Sequence, residues 1–290
     1  MVVIGTFEGW LVYRVTHPRR TNHEVTPSHY QMFTGGGMSW SEEQWGNTDG
    51  TQASGWFLRG ATGAPAIVLN HSYGTNRAEL LNLGVKLCEV GYHVLLPDLR
   101  GHGSSTVPYS SLGIYEKDDL NAAINFLKSK KSPQGQPLVE GNRVGVYGVS
   151  LGAYTALTAA AENPTIKVVI ADSVYDRPDW LTQSVLREMF NADPPLLNQF
   201  AELGLRGYFW GHYDDDSAAQ ALSRYHDQKL WLVTPQVNTP ATEGLQQTTL
   251  DLFQQAQAPK EIVKVERIRS EARDVYDDRV VGIFRKDLPR

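Results

Sequence analysis

The residues best suited to chemistry in this 290-residue chain are Gly148-Val149-Ser150-Leu151-Gly152. A short apolar run, Val144-Gly145-Val146-Tyr147, precedes them and reads as a buried strand; the Ala- and Leu-rich stretch that follows, to Glu162, reads as a helix. G-x-S-x-G at a strand-to-helix junction is a turn so tight that the serine hydroxyl stands out above the sheet edge. Glycine is needed on both sides because a side chain at either place would collide with the crossing backbone. A hydroxyl held this way is a nucleophile for an acyl carbon. The plainer reading is a helix N-cap serine flanked by turn glycines. The strand before the motif and the helix after it favour the nucleophile.

The elements that must position Ser150 follow from the alternation of apolar runs and helical patterns. Met38–Trp45 and Ala53–Leu58 flank Asn47–Gly50, and the Asp49-Gly50 step marks a hairpin. Ala66–Asn70, Tyr92–Pro97, Lys167–Ala171, Lys229–Thr234 and Glu261–Val265 are short apolar runs of the kind buried on both faces of a sheet. Helical patterns cover Asn76–Glu89, Glu116–Lys128, Glu243–Gln257 and Asp274–Lys286. Strands and helices alternating at these lengths predict an α/β chain with a mostly parallel central sheet and helices on both faces. Ligands of such sheets sit beyond the carboxyl ends of the strands. His71, Asp98, Ser150 and Asp172 all fall there. Tyr175–Gln228 breaks the rhythm with aromatics, Pro178, Pro194 and Pro195, and reads as a helical insertion that could form a lid. Within it, Asp214-Asp215-Asp216 reads as a solvated acidic start to a helix near Ser217 rather than a metal site, since carboxylates favour that dipole end.

Bulk composition narrows the function classes. A net charge of −5 gives no electrostatic footprint for nucleic acid. The single cysteine, Cys88, cannot form an internal disulfide and falls in a helical pattern as a small core residue, so it leaves the redox compartment undecided. No Cys/His spacing implies a metal, and a hole built from backbone donors needs no cofactor. Residues 1–37 form a lead-in to a domain spanning 38–290, interrupted by the insertion at 175–228. In the lead-in, Val2–Val15 is largely apolar, yet too short to span a bilayer, which takes about 20 apolar residues. It reads equally as the trimmed end of a membrane anchor or as a helix packed on the domain. Membrane association through the N-terminus, and a cytoplasmic as against an envelope location, therefore stay open, as does the oligomeric state. Thr16–Gly37 reads as irregular, with His17, His23 and His29 as surface residues whose even spacing fits no usual ligand pattern.

Taken together, the Asp49-Gly50 hairpin leading to Gly55-Trp56, the segment His71–Arg77, the D-x-R-G-H-G loop at Asp98–Gly103 and the G-x-S-x-G turn resemble the α/β-hydrolase family, in its branch of bacterial serine aminopeptidase- and acyl esterase-like proteins. The likeness runs from about Met38 to Leu288. It implies the α/β-hydrolase fold, a nucleophilic Ser150, and an oxyanion hole made by the backbone N–H of Leu151 and one from Ser72 or Tyr73, with Tyr73 preferred. His71 and His102 are structural in this pattern. The resemblance also implies an acid after Lys229–Thr234 and a histidine after Glu261–Val265. Asn238 stands near the first position, Arg269 or Ser270 at the second, and no histidine follows His226. An arginine stays protonated and cannot act as base. In a Ser-His-Asp triad, replacing the acid by Asn alone lowers kcat by about 10⁴. Asp172, at the end of the strand after Ser150, is the substitute candidate for the acid, against its reading as a cap or structural residue. His212, in the insertion, is the candidate base if it folds back to within about 3 Å of Ser150.

Two functions follow. One is a serine hydrolase of ester, thioester or peptide-like bonds, weakened by the loss at Asn238 and Arg269, with a small acyl or peptide-like ligand. The other is a catalytically inactive member of the same fold that binds or scaffolds.

Overall fold

The computed structural model describes residues 2–23, 25–33, 37–235, 239–264 and 270–290. In chain order the elements are α1 (Val2–Thr16), α2 (Pro27–Phe33), β1 (Ser39–Gly46), β2 (Gln52–Arg59), β3 (Ala66–Asn70), α3 (Leu81–Glu89), β4 (His93–Pro97), α4 (Glu116–Ser129), β5 (Val144–Val149), α5 (Leu151–Ala160), β6 (Ile166–Asp172), α6 (Pro178–Phe190), α7 (Pro195–Tyr208), α8 (Ala218–Ser223), β7 (Lys229–Thr234), α9 (Pro240–Gln255), β8 (Lys260–Lys264) and α10 (Ser270–Asp287). The strands form one sheet in the order β1-β2-β4-β3-β5-β6-β7-β8. β1 and β2 are antiparallel, β2 runs antiparallel to β4, and every pair from β4 to β8 is parallel. The sheet is mostly parallel, as the alternation predicts, and this is the α/β-hydrolase architecture.

The central strands are buried on both faces, so their residues divide by parity. Val68, Val146, Val169 and Leu232 pack beneath α4, α5 and the insertion. Ile67, Leu69, Tyr147, Ile170 and Trp231 pack against α3 and α10. A strand covered on both sides has no polar face to alternate with, which is why these segments read as continuous apolar runs. In the β1–β2 hairpin, Gly50 turns with a φ of 83°, and Asn47 N–H donates to the Thr51 carbonyl at 2.8 Å.

The predicted helix Asn76–Glu89 divides into two. A 3₁₀ turn over Arg77–Leu80 precedes α3, because the Asn76 side chain accepts from Ala78 N–H at 2.9 Å and Asp98 accepts from Arg77 N–H at 2.9 Å. Side chains that claim the first N–H groups tighten the opening turn. The last helix begins at Ser270, four residues before the predicted Asp274.

The insertion contains α6, α7 and α8, as predicted. Its acidic triplet is ion-paired rather than merely solvated. Asp214 meets Arg177 and Arg206, and Asp216 meets Lys117 and Arg224. Ser217 caps α8, accepting from Gln220 N–H while the Gln220 side chain accepts from Ser217 N–H.

The lead-in is more ordered than its composition suggests. α1 lies on α6 and α7 with Leu11, Val12 and Val15 buried, and Gly204 permits the close approach, since a Cβ there would meet Val12 and Glu8. Val2–Thr16 is thus a helix packed on the domain, and no described helix is long and apolar enough to cross a membrane. Thr16–Gly37 contains α2 and is tied to the domain at several points. Arg20 donates to the carbonyls of Ser105 and Val107 at 2.7 Å, and the Asn76 side chain donates to Thr21 and Asn22. His23 is not a surface residue: its side chain is only 15% exposed and lies 3.0 Å from Asp98.

Candidate active site

Ser150 sits where β5 ends and α5 begins, with φ 51° and ψ −107°. A left-handed φ on a non-glycine residue is strained and persists only where its surroundings over-determine it. Here they do. The Ser150 N–H donates to the Asp172 carbonyl at 2.9 Å, and the Ser150 carbonyl accepts from Tyr154 N–H at 3.0 Å. A Cβ on Gly148 would drive into the backbone of Gly152 and Ala153, and one on Gly152 into that of Asn70, each closer than 3.0 Å. The two glycines therefore let α5 cross against β5 and β3, and the serine between them is pushed outward, half-exposed.

The loop expected to supply the second oxyanion donor runs from His71 to Gly74 after β3. The Ser72 N–H is already taken by the Glu79 carboxylate at 2.8 Å, and the same carboxylate accepts from the Ser72 and Thr75 hydroxyls. Tyr73 and Leu151 differ: neither backbone N–H donates to a described residue. Of the two loop candidates, Tyr73 is the one with an N–H to offer. Its side chain is anchored elsewhere, the hydroxyl donating to the Val15 carbonyl at the end of α1 at 2.6 Å.

Two buried histidines brace this loop against the one after β4. His71 Nε2 accepts from Leu99 N–H at 3.0 Å, and its Nδ1 donates to the Ser72 carbonyl. His102 Nε2 accepts from Gly74 N–H at 3.0 Å, and its Nδ1 donates to the Arg100 carbonyl. Their rings meet edge-on at 5.1 Å. Burial holds both neutral, His71 below its ordinary value and His102, further disfavoured by His71, down at about 3. Each ring needs one bare nitrogen to accept from its N–H, so neutrality and position are the same requirement. Beside them, Asp98 accepts from Arg77 N–H and Ser104 N–H and meets His23. Burial alone would raise its carboxyl; the His23 hydrogen bond and the Arg77 charge outweigh that and hold it at about 2. The roles of Glu79 and His23 were not legible in the sequence. His23 reaches Asp98 across a long separation, and Glu79 folds back on Ser72 and Thr75 through a turn that the helical pattern does not mark.

The remaining described candidates, Asp172 and His212, make other side-chain contacts. Asp172 is buried, and its Oδ2 accepts from Tyr276 and Tyr147 hydroxyls at 2.7 and 3.1 Å, on the α10 face of the sheet. Its Oδ1 accepts from the Ser173 hydroxyl. His212 Nδ1 pairs with Asp215 at 2.6 Å, both side chains more than half exposed. Asn238 and Arg269 lie outside the described residues, and Ser270 opens α10. None of the chain's eight histidines, all of them described, forms a hydrogen bond with Ser150. His17 and His29 bond within the lead-in, His93 accepts from Gly60 N–H, and the His226 ring is exposed. The described residues thus leave a strained serine hydroxyl and the backbone N–H groups of Leu151 and Tyr73 unbonded, with no imidazole on the hydroxyl.

A sequence profile of the alpha/beta hydrolase family matches residues 60–279. Over 113 residues the chain is 34% identical to the uncharacterized protein YqkD of Bacillus subtilis (strain 168), covering 37% of this chain and 35% of that one. It is 30% identical over 184 residues to the thiohydrolase apmlB of Arthrinium phaeospermum, covering 62% of this chain and 58% of its relative. The chain thus spans less than two thirds of the length of these curated relatives. The esterase Pf2001 of Pyrococcus furiosus superimposes with a TM-score of 0.66 at 20% identity, over 94% of this chain and 99% of its own. The hydrolase GrgF of Penicillium sp. sh18 does so with a TM-score of 0.65 at 16% identity, over 87% and 100%. At these identities the superpositions speak for the fold alone. The profile match reaches from the end of β2 into α10 and takes in both loops and the Ser150 turn, and on that extent the chain belongs to the alpha/beta hydrolase family.

Proposed function

We propose that this protein is a slow acyl hydrolase that uses Ser150 as nucleophile and acts best on thioesters and activated esters. The observation that carries the reading is the strained, outward Ser150 with no histidine bonded to it, followed in the chain by the unclaimed N–H of Leu151, with a second unclaimed N–H at Tyr73 in the loop after the neighbouring strand β3. Ser150 Oγ would attack the acyl carbon and pass its proton to water, while the two N–H groups stabilise the oxyanion; one such donor is worth about 10²–10³ in kcat. Collapse of the tetrahedral intermediate must then expel the leaving group without a general acid. A thiolate, whose thiol has a pKa of about 8.5, or a phenolate can depart unaided, leaving the acyl group as an ester on Ser150 Oγ. Water then adds to that ester in the same hole, and the C–O bond to Ser150 breaks as solvent protonates the serine oxygen, releasing the carboxylic acid; with no imidazole to assist, this second step is the slow one. An amine cannot leave as its anion, so amide and peptide bonds fall outside this chemistry. The relative named a thiohydrolase fits the same range.

The missing imidazole also favours a second reading, a binding protein that keeps the pocket without turnover. A fluorophosphonate probe and a thioester assay separate the two. The hydrolase should label slowly at Ser150 and cleave S-acyl substrates at least about 100-fold faster than the matching anilide, as general acid–base help is worth about 10²–10⁴. Both signals should vanish in Ser150→Ala. No label, with thioester loss unchanged by Ser150→Ala, establishes the binding protein instead.

A further inference from the structure

A cleft of about 620 Å³ lies between the last turn of α1, the segment that follows it and α6, and it reaches the oxyanion loop at Tyr73 and Gly74. Part of its wall is apolar, from Tyr73, Val185 and Met189, and part is cationic, from Arg14 and Arg19. Arg14 is half-buried, and its Nε contacts only the Met189 sulfur, at 3.5 Å. No carboxylate of a described residue pairs with it. This sets it apart: Arg77, Arg100, Arg177 and Arg206 each meet a carboxylate within 4.0 Å. A guanidinium taken partly out of water without a counter-charge is unfavourable unless something anionic completes it. Arg19 stands exposed at the mouth, on a segment fixed by the two bonds from Arg20 to the main chain. Glu188 offsets one of the two charges, and His17 is kept from charging first by burial, leaving the cleft with a net charge near +1.

We propose that this cleft binds the anionic end of the substrate, a carboxylate or a phosphate, on Arg14 and Arg19, with the reacting carbonyl carried to the loop at Tyr73. The proposal rests on the acyl-hydrolase reading for which bond is cleaved, but the binding it asserts can be measured without turnover. The anion has two sources, a carboxylate at the far end of the acyl chain or a phosphate on the leaving group of a carrier thioester. The guanidinium fork suits both, since each presents paired oxygens.

The test uses the full chain carrying Ser150→Ala, so that nothing is consumed, and isothermal titration with three probes. These are S-hexanoyl-pantetheine, the same thioester of pantetheine 4′-phosphate, and the S-ethyl thioester of adipic acid with its free carboxylate. One or both charged probes should bind at least about 10-fold more tightly than the neutral one, and the advantage should shrink as salt screens it. Whichever charged probe gains identifies the source. In Arg14→Gln/Arg19→Gln the advantage should fall below about twofold, with affinity for the neutral probe unchanged, which guards against a merely unfolded variant. Equal binding of neutral and charged probes, no measurable binding of any, or an advantage that survives in the double variant overturns the proposal. If fluorophosphonate fails to label Ser150 while the charge preference holds, the cleft assignment stands and the hydrolase reading falls. Labelling without the preference gives the opposite result.

Discussion

Gly148→Ala tests whether backbone crossing, rather than local turn preference, shapes the Ser150 turn. The added methyl would meet the Gly152 carbonyl and Ala153 nitrogen inside 3.0 Å. These are backbone atoms in the first turn of α5, so no side chain can swing away. Relief requires lifting the start of α5 from β5, which moves Ser150 and the Leu151 N–H together. Overpacking of a close-packed site costs about 1–3 kcal/mol, and a backbone obstacle places this variant near the top, at about 3 kcal/mol. The same chemical change at Gly244 is the control. That residue lies exposed inside α9, and nothing sits within 4 Å of where its Cβ would be. There alanine should stabilise by about 1 kcal/mol through helix propensity. Urea unfolding should therefore separate the two variants by about 4 kcal/mol, a midpoint shift at constant m. Gly148→Ala should also lose any fluorophosphonate labelling while still folded at low urea. A Gly148→Ala protein within about 0.5 kcal/mol of wild type would refute the crossing argument and, with it, the reason Ser150 is held outward.

Three further outcomes follow. Asp98 has a folded-state carboxyl near 2 against an ordinary 3.8, a shift that stabilises the fold by about 2 kcal/mol. Because the value is depressed, the contribution is present above pH 3.8 and is lost as pH falls through about 2; Asp98→Asn should flatten that part of a urea-denaturation series between pH 5 and pH 2, and an unchanged slope would contradict it. Tyr73→Phe removes the hydroxyl bonded to the Val15 carbonyl and should lower stability by about 1 kcal/mol while slowing fluorophosphonate labelling, a loss of α1 anchorage readable as faster amide exchange in α1. Installing a base should raise turnover: Arg269→His or Ser270→His should increase p-nitrophenyl acetate hydrolysis by about 10² or more, abolished by Ser150→Ala. If neither does so in a folded protein, the site lacks more than a base.

What the sequence made legible is what depends on neighbours in the chain. The β1–β2 hairpin, the apolar parallel strands and the glycine-flanked Ser150 are local patterns, and the structure reproduces their bounds to within a residue or two at most ends. The insertion was visible because prolines and aromatics interrupt the strand–helix rhythm. The rest involves partners far apart in sequence. His23 reads as a surface residue until Asp98 and Arg77 are brought to it from the ends of other segments. Asp172 reads as an acid or a structural residue from its place at the end of β6, and its bond from Tyr276 comes from more than a hundred residues on. Asn76–Glu89 looked like one helix because the carboxylate that tightens its first turn arrives from after β4.

The balance between a slow enzyme and an inert scaffold turns on strain. Holding a serine at φ 51° costs of order 1–3 kcal/mol, a noticeable part of the roughly 5–15 kcal/mol by which a domain is stable. Glycine would occupy that position without strain, and the crossing of α5 over β5 needs only Gly148 and Gly152. Nor does the Ser150 hydroxyl serve the fold, since it bonds no described residue. Glu79 takes the Ser72 N–H and hydroxyl, and His102 takes the Gly74 N–H, so the loop is pinned on both sides of Tyr73 while the Tyr73 N–H is left unclaimed. A scaffold that only binds has no use for a strained, unbonded hydroxyl together with unclaimed amides at Leu151 and Tyr73. That combination supports a Ser150 that still attacks, slowly, with water in place of the imidazole.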